Sequence, residues 1–198
     1  MLPSYSSLLR RWWLPLGVAV LSTVLQLAGL RDAWQFDRAL IASGDWWLLL
    51  SGNLVHLNPN HLLMNVLGLG VIALLVWPYL STPQWLLCFA VSALAVGVGL
   101  YWRDTHLGYY VGLSGVLHGL LLAGVVYEVV VQPRSGWVLL IAIVAKLGWE
   151  QWHGAVPGSE WAVGGSVVVN SHLYGAIAGG LMGLVFVLRR SPAPGDAP

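Results

Sequence analysis

Charge is the scarcest property of this chain. Only 9% of its 198 residues are Asp, Glu, Lys or Arg, where a soluble domain carries about a quarter. A chain that is 58% hydrophobic with so little charge cannot cover a folded surface with solvated groups, which excludes a water-soluble globule. The net charge of +1 leaves no basic patch for a phosphate backbone, so nucleic acid is excluded as a partner. Cysteine is nearly absent as well. Cys88 stands alone in an apolar run, so no internal disulfide can form, and the residue reads as packing filler without thiol chemistry. No acidic relay runs through the middle of the apolar segments, which argues against a transporter.

What the chain does have is long apolar runs. Six segments, about 12–30, 61–80, 84–102, 114–132, 136–152 and 172–188, each approach the ~20 residues that a bilayer crossing needs. The expected fold class is therefore all-α: a polytopic membrane protein, a bundle of six transmembrane helices in one domain over residues 1–190, then a disordered cytoplasmic tail over 191–198. Arg10 and Arg11 before the first run imitate a secretory signal, but that run exceeds the roughly 7–15 residues of such a core and lacks a small-x-small cleavage site. It reads as a retained helix.

Tryptophan and arginine set the expected topology. All twelve Trp residues fall near proposed helix ends or in loops, where an amphipathic indole prefers to sit. Arg10, Arg11, Arg134, Arg189 and Arg190 lie on one side against Arg31, Arg38 and Arg103 on the other, which places both termini in the cytoplasm. The second, fourth and sixth helices then start at the outer face. The connection 31–60 is too apolar for free solvation and is expected to lie partly in the outer interface. Ser81-Thr82-Pro83 and Pro133-Arg134-Ser135-Gly136 read as short inner turns, and 153–171 as a mobile, glycine-rich outer loop.

Against this background a few polar groups stand out, because ionisable residues inside a membrane are functional candidates by default. Ser114 lies in Gly112-Leu113-Ser114-Gly115 at the mouth of an apolar helix. It is either a small packing residue or a nucleophile left uncovered by the glycines. His172 is the candidate base, since a hydroxyl attacks only once its proton is taken. Gly175 and Gly179 share its helix face and could bring that face against Gly115 and Gly119. His61 and Asn65, one turn apart, are either interhelical glue or donors to a developing oxyanion together with the Ser114 backbone N–H. His56 is expected to hold the turn before them by hydrogen bonding. His118, one turn after Ser114, packs on or tunes the base, or fills space. Lys146 and Glu150, at i and i+4, read as a structural ion pair that makes two buried charges tolerable.

The combination of His56-x4-His61-x3-Asn65, Gly112-Leu-Ser114-Gly115 and His172-x2-Gly175-x3-Gly179, in this order, resembles the rhomboid intramembrane serine proteases over nearly the whole chain. Within them, the short length, the Ser-Gly-x-x-His-Gly run through Gly119, Lys146-Leu-Gly-Trp-Glu150-Gln and Ser171-His172-Leu-Tyr-Gly175 resemble the rhombosortases. The resemblance implies a Ser114 nucleophile and a His172 base with no acidic third member, an oxyanion hole lined by His61 and Asn65, and no cofactor or metal. It implies membrane-anchored protein substrates with a Gly-Gly motif, one C-terminal transmembrane helix and basic residues, cut near the outer face of a bacterial inner membrane. Many rhomboids carry an aromatic residue where His118 stands, and many a Trp-Arg pair in the first outer loop, where Trp47 is here followed by Leu48. The competing expectations are a catalytically silent rhomboid-like protein that binds membrane clients, and a haem or metal protein ligated by His61, His118 and His172.

Overall fold

A computed structural model of the protein describes residues 5–76 and 78–190. The expected tail and Trp77 lie outside the described residues. In chain order the elements are α1 (Tyr5–Leu27), α2 (Arg31–Trp34), β1 (Phe36–Asp37), α3 (Arg38–Ser43), α4 (Leu48–Ser51), α5 (Pro59–Val76), α6 (Thr82–Arg103), β2 (Tyr109–Tyr110), α7 (Ser114–Val131), α8 (Pro133–His153), α9 (Ser159–Val163) and α10 (Val169–Leu188). The chain is nearly all helix. Among the described residues, four helices, α5, α6, α7 and α10, are long and apolar enough to cross a membrane by length and composition. Each of the six expected segments overlaps a long helix, but 12–30 runs past the end of α1 at Leu27 and 61–80 past the end of α5 at Val76. However, the apolar part of α1, Trp12–Leu27, is shorter than a span, and α8 carries Arg134, Lys146 and Glu150.

Local chemistry explains where the helices begin. Asn58 caps α5: its Oδ1 accepts the His61 backbone N–H at 2.9 Å, and Pro59 fills the first position, where no N–H is needed. Ser81 and Gln84 form a capping box at the start of α6. The stretch Pro133-Arg134-Ser135-Gly136, expected as a turn, is instead the first turn of α8. Proline is tolerated there, and Gly136 permits close packing, since a Cβ would lie 2.5 Å from the backbone of Val129. α10 begins three residues before His172, so that histidine sits inside the first turn.

α7 is the hub. It packs on α5, α6, α8 and α10, with Val116, Leu120 and Ala123 wholly buried in the main apolar cluster. Its contact with α10 is backbone on backbone. Cβ atoms added at Gly175 and Gly179 would collide with the carbonyls of Gly115 and Gly119. A small-residue seam of this kind is how helices approach closely without a hydrophobic driving force between them. Outside this core, Leu63, Leu67, Val71 and Leu74 of α5 and Val138, Ile141 and Val144 of α8 are exposed. Apolar surface of that extent faces lipid rather than water.

The connection 31–58 folds back as a compact unit. Phe36, Ile41, Leu48 and Leu49 are buried with Val96 and Leu100 of α6, while Trp46, Trp47 and Leu50 remain exposed. β1 pairs antiparallel with β2, Phe36 opposite Tyr110. Arg38 fixes this unit to the end of α6, donating to the carbonyls of Leu100 and Tyr101 at 2.7 Å, Leu107 at 2.8 Å and Asp104 at 2.9 Å. The anchor of this loop is thus Arg38. The loop expected over 153–171 contains α9, tied to the start of α5 by Asn58 Nδ2, which donates to the carbonyls of Val163 at 3.0 Å and Gly164 at 3.2 Å.

Candidate active site

Gly112, with φ of +126°, turns the chain into α7 in a conformation that side chains disfavour. Tyr110 holds the turn by donating its hydroxyl to the Gly112 carbonyl at 2.7 Å, and burial pushes its phenol up to about 12, which keeps it a donor. A Cβ at Gly112 would lie 2.7 Å from the His61 ring, so only glycine lets the two meet. Ser114, half-buried, is then the first residue of α7. Its amide belongs to the first turn, whose N–H groups lack intrahelical partners.

His172 reaches the same point from α10. The first turn of α10 is clamped on the end of α6. Tyr174 donates to Asp104 Oδ2 at 2.7 Å, and Asn170 Nδ2 donates to Asp104 Oδ1. The glycine seam sets the distance between α7 and α10. With position and spacing both fixed, His172 Nε2 lies 2.9 Å from Ser114 Oγ.

His61 and Asn65 come from α5 and are both buried. His61 Nδ1 accepts the Leu57 N–H at 3.4 Å, so its ring proton resides on Nε2, which faces Gly112. Asn65 Nδ2 donates one hydrogen to the His61 carbonyl at 3.0 Å and retains a second. Both residues line one cavity of about 280 Å³ with Ser114, His118, Lys146, Glu150 and His172. Met64, Gly68 and Ile72 of α5 line it too, so the cavity lies between α5 and α8.

The remaining expected site residues divide. His118 stacks on His172, ring centres 4.2 Å apart and planes 21° from parallel, and its Nδ1 lies 2.7 Å from the Ser114 carbonyl. His56 is fully buried, yet neither ring nitrogen has a hydrogen-bond partner. The expected hydrogen bonding to the turn is therefore corrected: the ring packs edge-on against His61, centres 5.1 Å apart. Burial first, then His61, lowers His56 to about 3, so the ring is neutral at ordinary pH. The Lys146–Glu150 ion pair forms, at 2.6 Å, but it is not separate from the site. Both Glu150 oxygens lie 3.0 Å from His172 Nδ1, and Lys146 Nζ lies 2.7 Å from His118 Nε2. An imidazole with no acidic neighbour was the expectation; a buried carboxylate stands behind it.

Glu150 and Tyr110 are what sequence reasoning missed as neighbours of the site. The i, i+4 spacing showed Lys146 and Glu150 to each other but not to α10. His118, Glu150 and His172 could also hold a metal, their ligand atoms lying within 4.8 Å of one another. However, the Lys146 ammonium occupies the centre of that donor set, 2.6 to 3.1 Å from one atom of each. His61 does not belong to it.

A hydroxyl against an imidazole, a carboxylate behind the imidazole and amide donors alongside have the layout that serine-hydrolase chemistry requires, here in a multi-pass membrane protein. The rhomboid domain model matches residues 43–189, and the chain belongs to the rhomboid family. It is also similar to "Putative rhomboid protease YdcA" of Bacillus subtilis, 24% identical over 155 residues that cover 76% of this chain and 72% of that protein. Membership of this family supports intramembrane serine-protease activity on membrane protein substrates.

Proposed function

We propose that the protein is an intramembrane serine endopeptidase of the rhombosortase type, removing C-terminal Gly-Gly-type membrane anchors from exported proteins near the outer face of a bacterial inner membrane. The observation that carries the reading is the 2.9 Å approach of Ser114 Oγ to His172 Nε2 inside a cavity that His61 and Asn65 also line. α1 and α8 join the four apolar helices as spans, with residues 1–190 as one domain and both termini cytoplasmic. A client helix enters between α5 and α8, and its glycines, poor helix formers, unwind beside Ser114.

The chemistry follows from the donors available. Ser114 Oγ attacks the scissile carbonyl while His172 Nε2 takes the hydroxyl proton. His61 Nε2–H, Asn65 Nδ2–H and the Ser114 N–H meet the charge that develops on oxygen. The C–N bond breaks, the amine leaves with the proton from His172, and water or another nucleophile, such as an amine, resolves the acyl-enzyme. Co-expression with a Gly-Gly-tailed client tests this. Wild type releases a product shortened at its C-terminus, and Ser114→Ala accumulates normally but releases none. Equal release by Ser114→Ala ends the proposal.

A further inference from the structure

We propose that Glu150 and Lys146 are positioning residues that convert the Ser114–His172 pair into a closed relay, Ser114–His172–Glu150–Lys146–His118, returning to the Ser114 carbonyl. The inference rests on the reading of Ser114 and His172 given above. It goes beyond that reading by assigning a protonation pattern and a task to the ion pair.

Two of the five groups can only donate or only accept, which fixes the tautomer of His118 and constrains that of His172. An ammonium only donates and a carboxylate or carbonyl only accepts. His118 faces the Lys146 ammonium with Nε2, 2.7 Å away, and the Ser114 carbonyl with Nδ1, 2.7 Å away. It must therefore be the neutral tautomer protonated on Nδ1. His172 Nδ1 faces both oxygens of Glu150 at 3.0 Å and Lys146 Nζ at 3.1 Å. A bare nitrogen there could accept from Lys146 but would point its lone pair at two carboxylate oxygens. A protonated one donates to them, while the ammonium makes its shorter contacts to Glu150 and His118. The proton on Nδ1 leaves the Nε2 lone pair facing the Ser114 hydroxyl, which is the tautomer a base requires.

Lys146 completes the arrangement electrically. Its 2.6 Å contact with Glu150 makes the charged part of the cluster neutral overall, the condition under which buried charges persist. The ammonium also holds Glu150 from behind, so the carboxylate keeps its place when His172 acquires the Ser114 proton. At that moment Nδ1–H donates to Glu150 with a full positive charge on the ring, and the bond strengthens as a charge-assisted one. Stacking on His118 at 4.2 Å prevents the ring from turning.

The test uses a fluorophosphonate probe, which needs no knowledge of the client. Ser114 Oγ bonds to phosphorus, the P–F bond breaks, fluoride leaves and the serine proton goes to His172 Nε2. Glu150→Gln keeps the shape but presents an amide that can donate to Nδ1, favouring the wrong tautomer. Its labelling rate is expected to fall by about 100-fold or more, and that of Lys146→Met by about 10-fold, each read on the fraction of protein that remains folded. On the wild-type protein, nitrogen-15 NMR of labelled histidine is expected to find His118 and His172 neutral and protonated on Nδ1. Labelling of Glu150→Gln within about threefold of wild type overturns the relay. So does an Nε2 proton on wild-type His172, a result that stands even if the variants fail to fold. Failure of the underlying reading looks different: Ser114→Ala would be labelled like wild type.

Discussion

Gly115→Ala, a single added methyl, tests the seam that sets the geometry of the site. The new Cβ would lie 2.7 Å from the Ser171 carbonyl oxygen on α10, where ordinary contact begins at 3.4 Å. Val96 Cγ2 of α6 lies as close, but the obstacle on α10 is backbone, so no rotamer change relieves it, and α7 and α10 must part by about 0.7 Å. Ser114 and His172 flank this contact on the two helices. Parting along the line between the axes stretches their 2.9 Å hydrogen bond to roughly 3.6 Å, beyond useful range. Loss of an aligned base costs about 10²–10⁴ in rate; because the helices can tilt to recover part of the distance, the expectation is a 10–100-fold fall in client cleavage. Stability changes less, since overpacking of about 1–3 kcal/mol is partly offset by the roughly 1 kcal/mol gain of alanine over glycine in a helix. Product mass against time, with the detergent unfolding midpoint alongside, measures both. Cleavage at the wild-type rate by a folded Gly115→Ala protein would refute the argument that the seam positions the two side chains.

Three further outcomes follow from the same geometry. If His61 and Asn65 are the oxyanion donors proposed above, His61→Ala and Asn65→Ala are each expected to lower kcat by about 10²–10³, with the double variant less than multiplicative; single-turnover cleavage reports this. Arg38→Met frees four backbone carbonyls at the α6 end and in the turn after it and is expected to destabilise by about 3 kcal/mol. Arg38→Lys should restore less than half, because an ammonium lacks the planar fork; denaturation in detergent checks both. His56 refuses a proton that the unfolded chain accepts at 6.5, until about pH 3. Its contribution to stability is therefore full above pH 6.5 and is lost progressively as pH falls toward 3. His56→Phe should be relatively more stable against wild type at pH 4.5 than at pH 7.5, and equal differences at the two pH values would contradict the buried, neutral ring.

Local spacing made much of the site legible. His61 and Asn65, or His172 and Gly175, share a helix face by periodicity alone, and the glycine runs on both sides already suggested a close crossing. The long apolar runs likewise located the helices. What spacing could not carry was contact between distant segments. Glu150 and His172 are 22 residues apart on different helices, and Arg38 finds carbonyls more than 60 residues away. The first turn of α8 was hidden for a different reason. Proline and glycine mark turns in most settings, but Pro133 sits where its missing N–H costs nothing, and Gly136 is needed for the approach of α7. Likewise, α9 arises in a glycine-rich loop because Asn58, far off in sequence, supplies its anchor.

Peptide mapping by mass spectrometry after fluorophosphonate treatment reaches the central claim most directly. The account predicts one covalent adduct, located on Ser114, in the wild-type protein and its loss in a folded His172→Ala variant. An adduct on another residue, or labelling of Ser114 undiminished without His172, would contradict it.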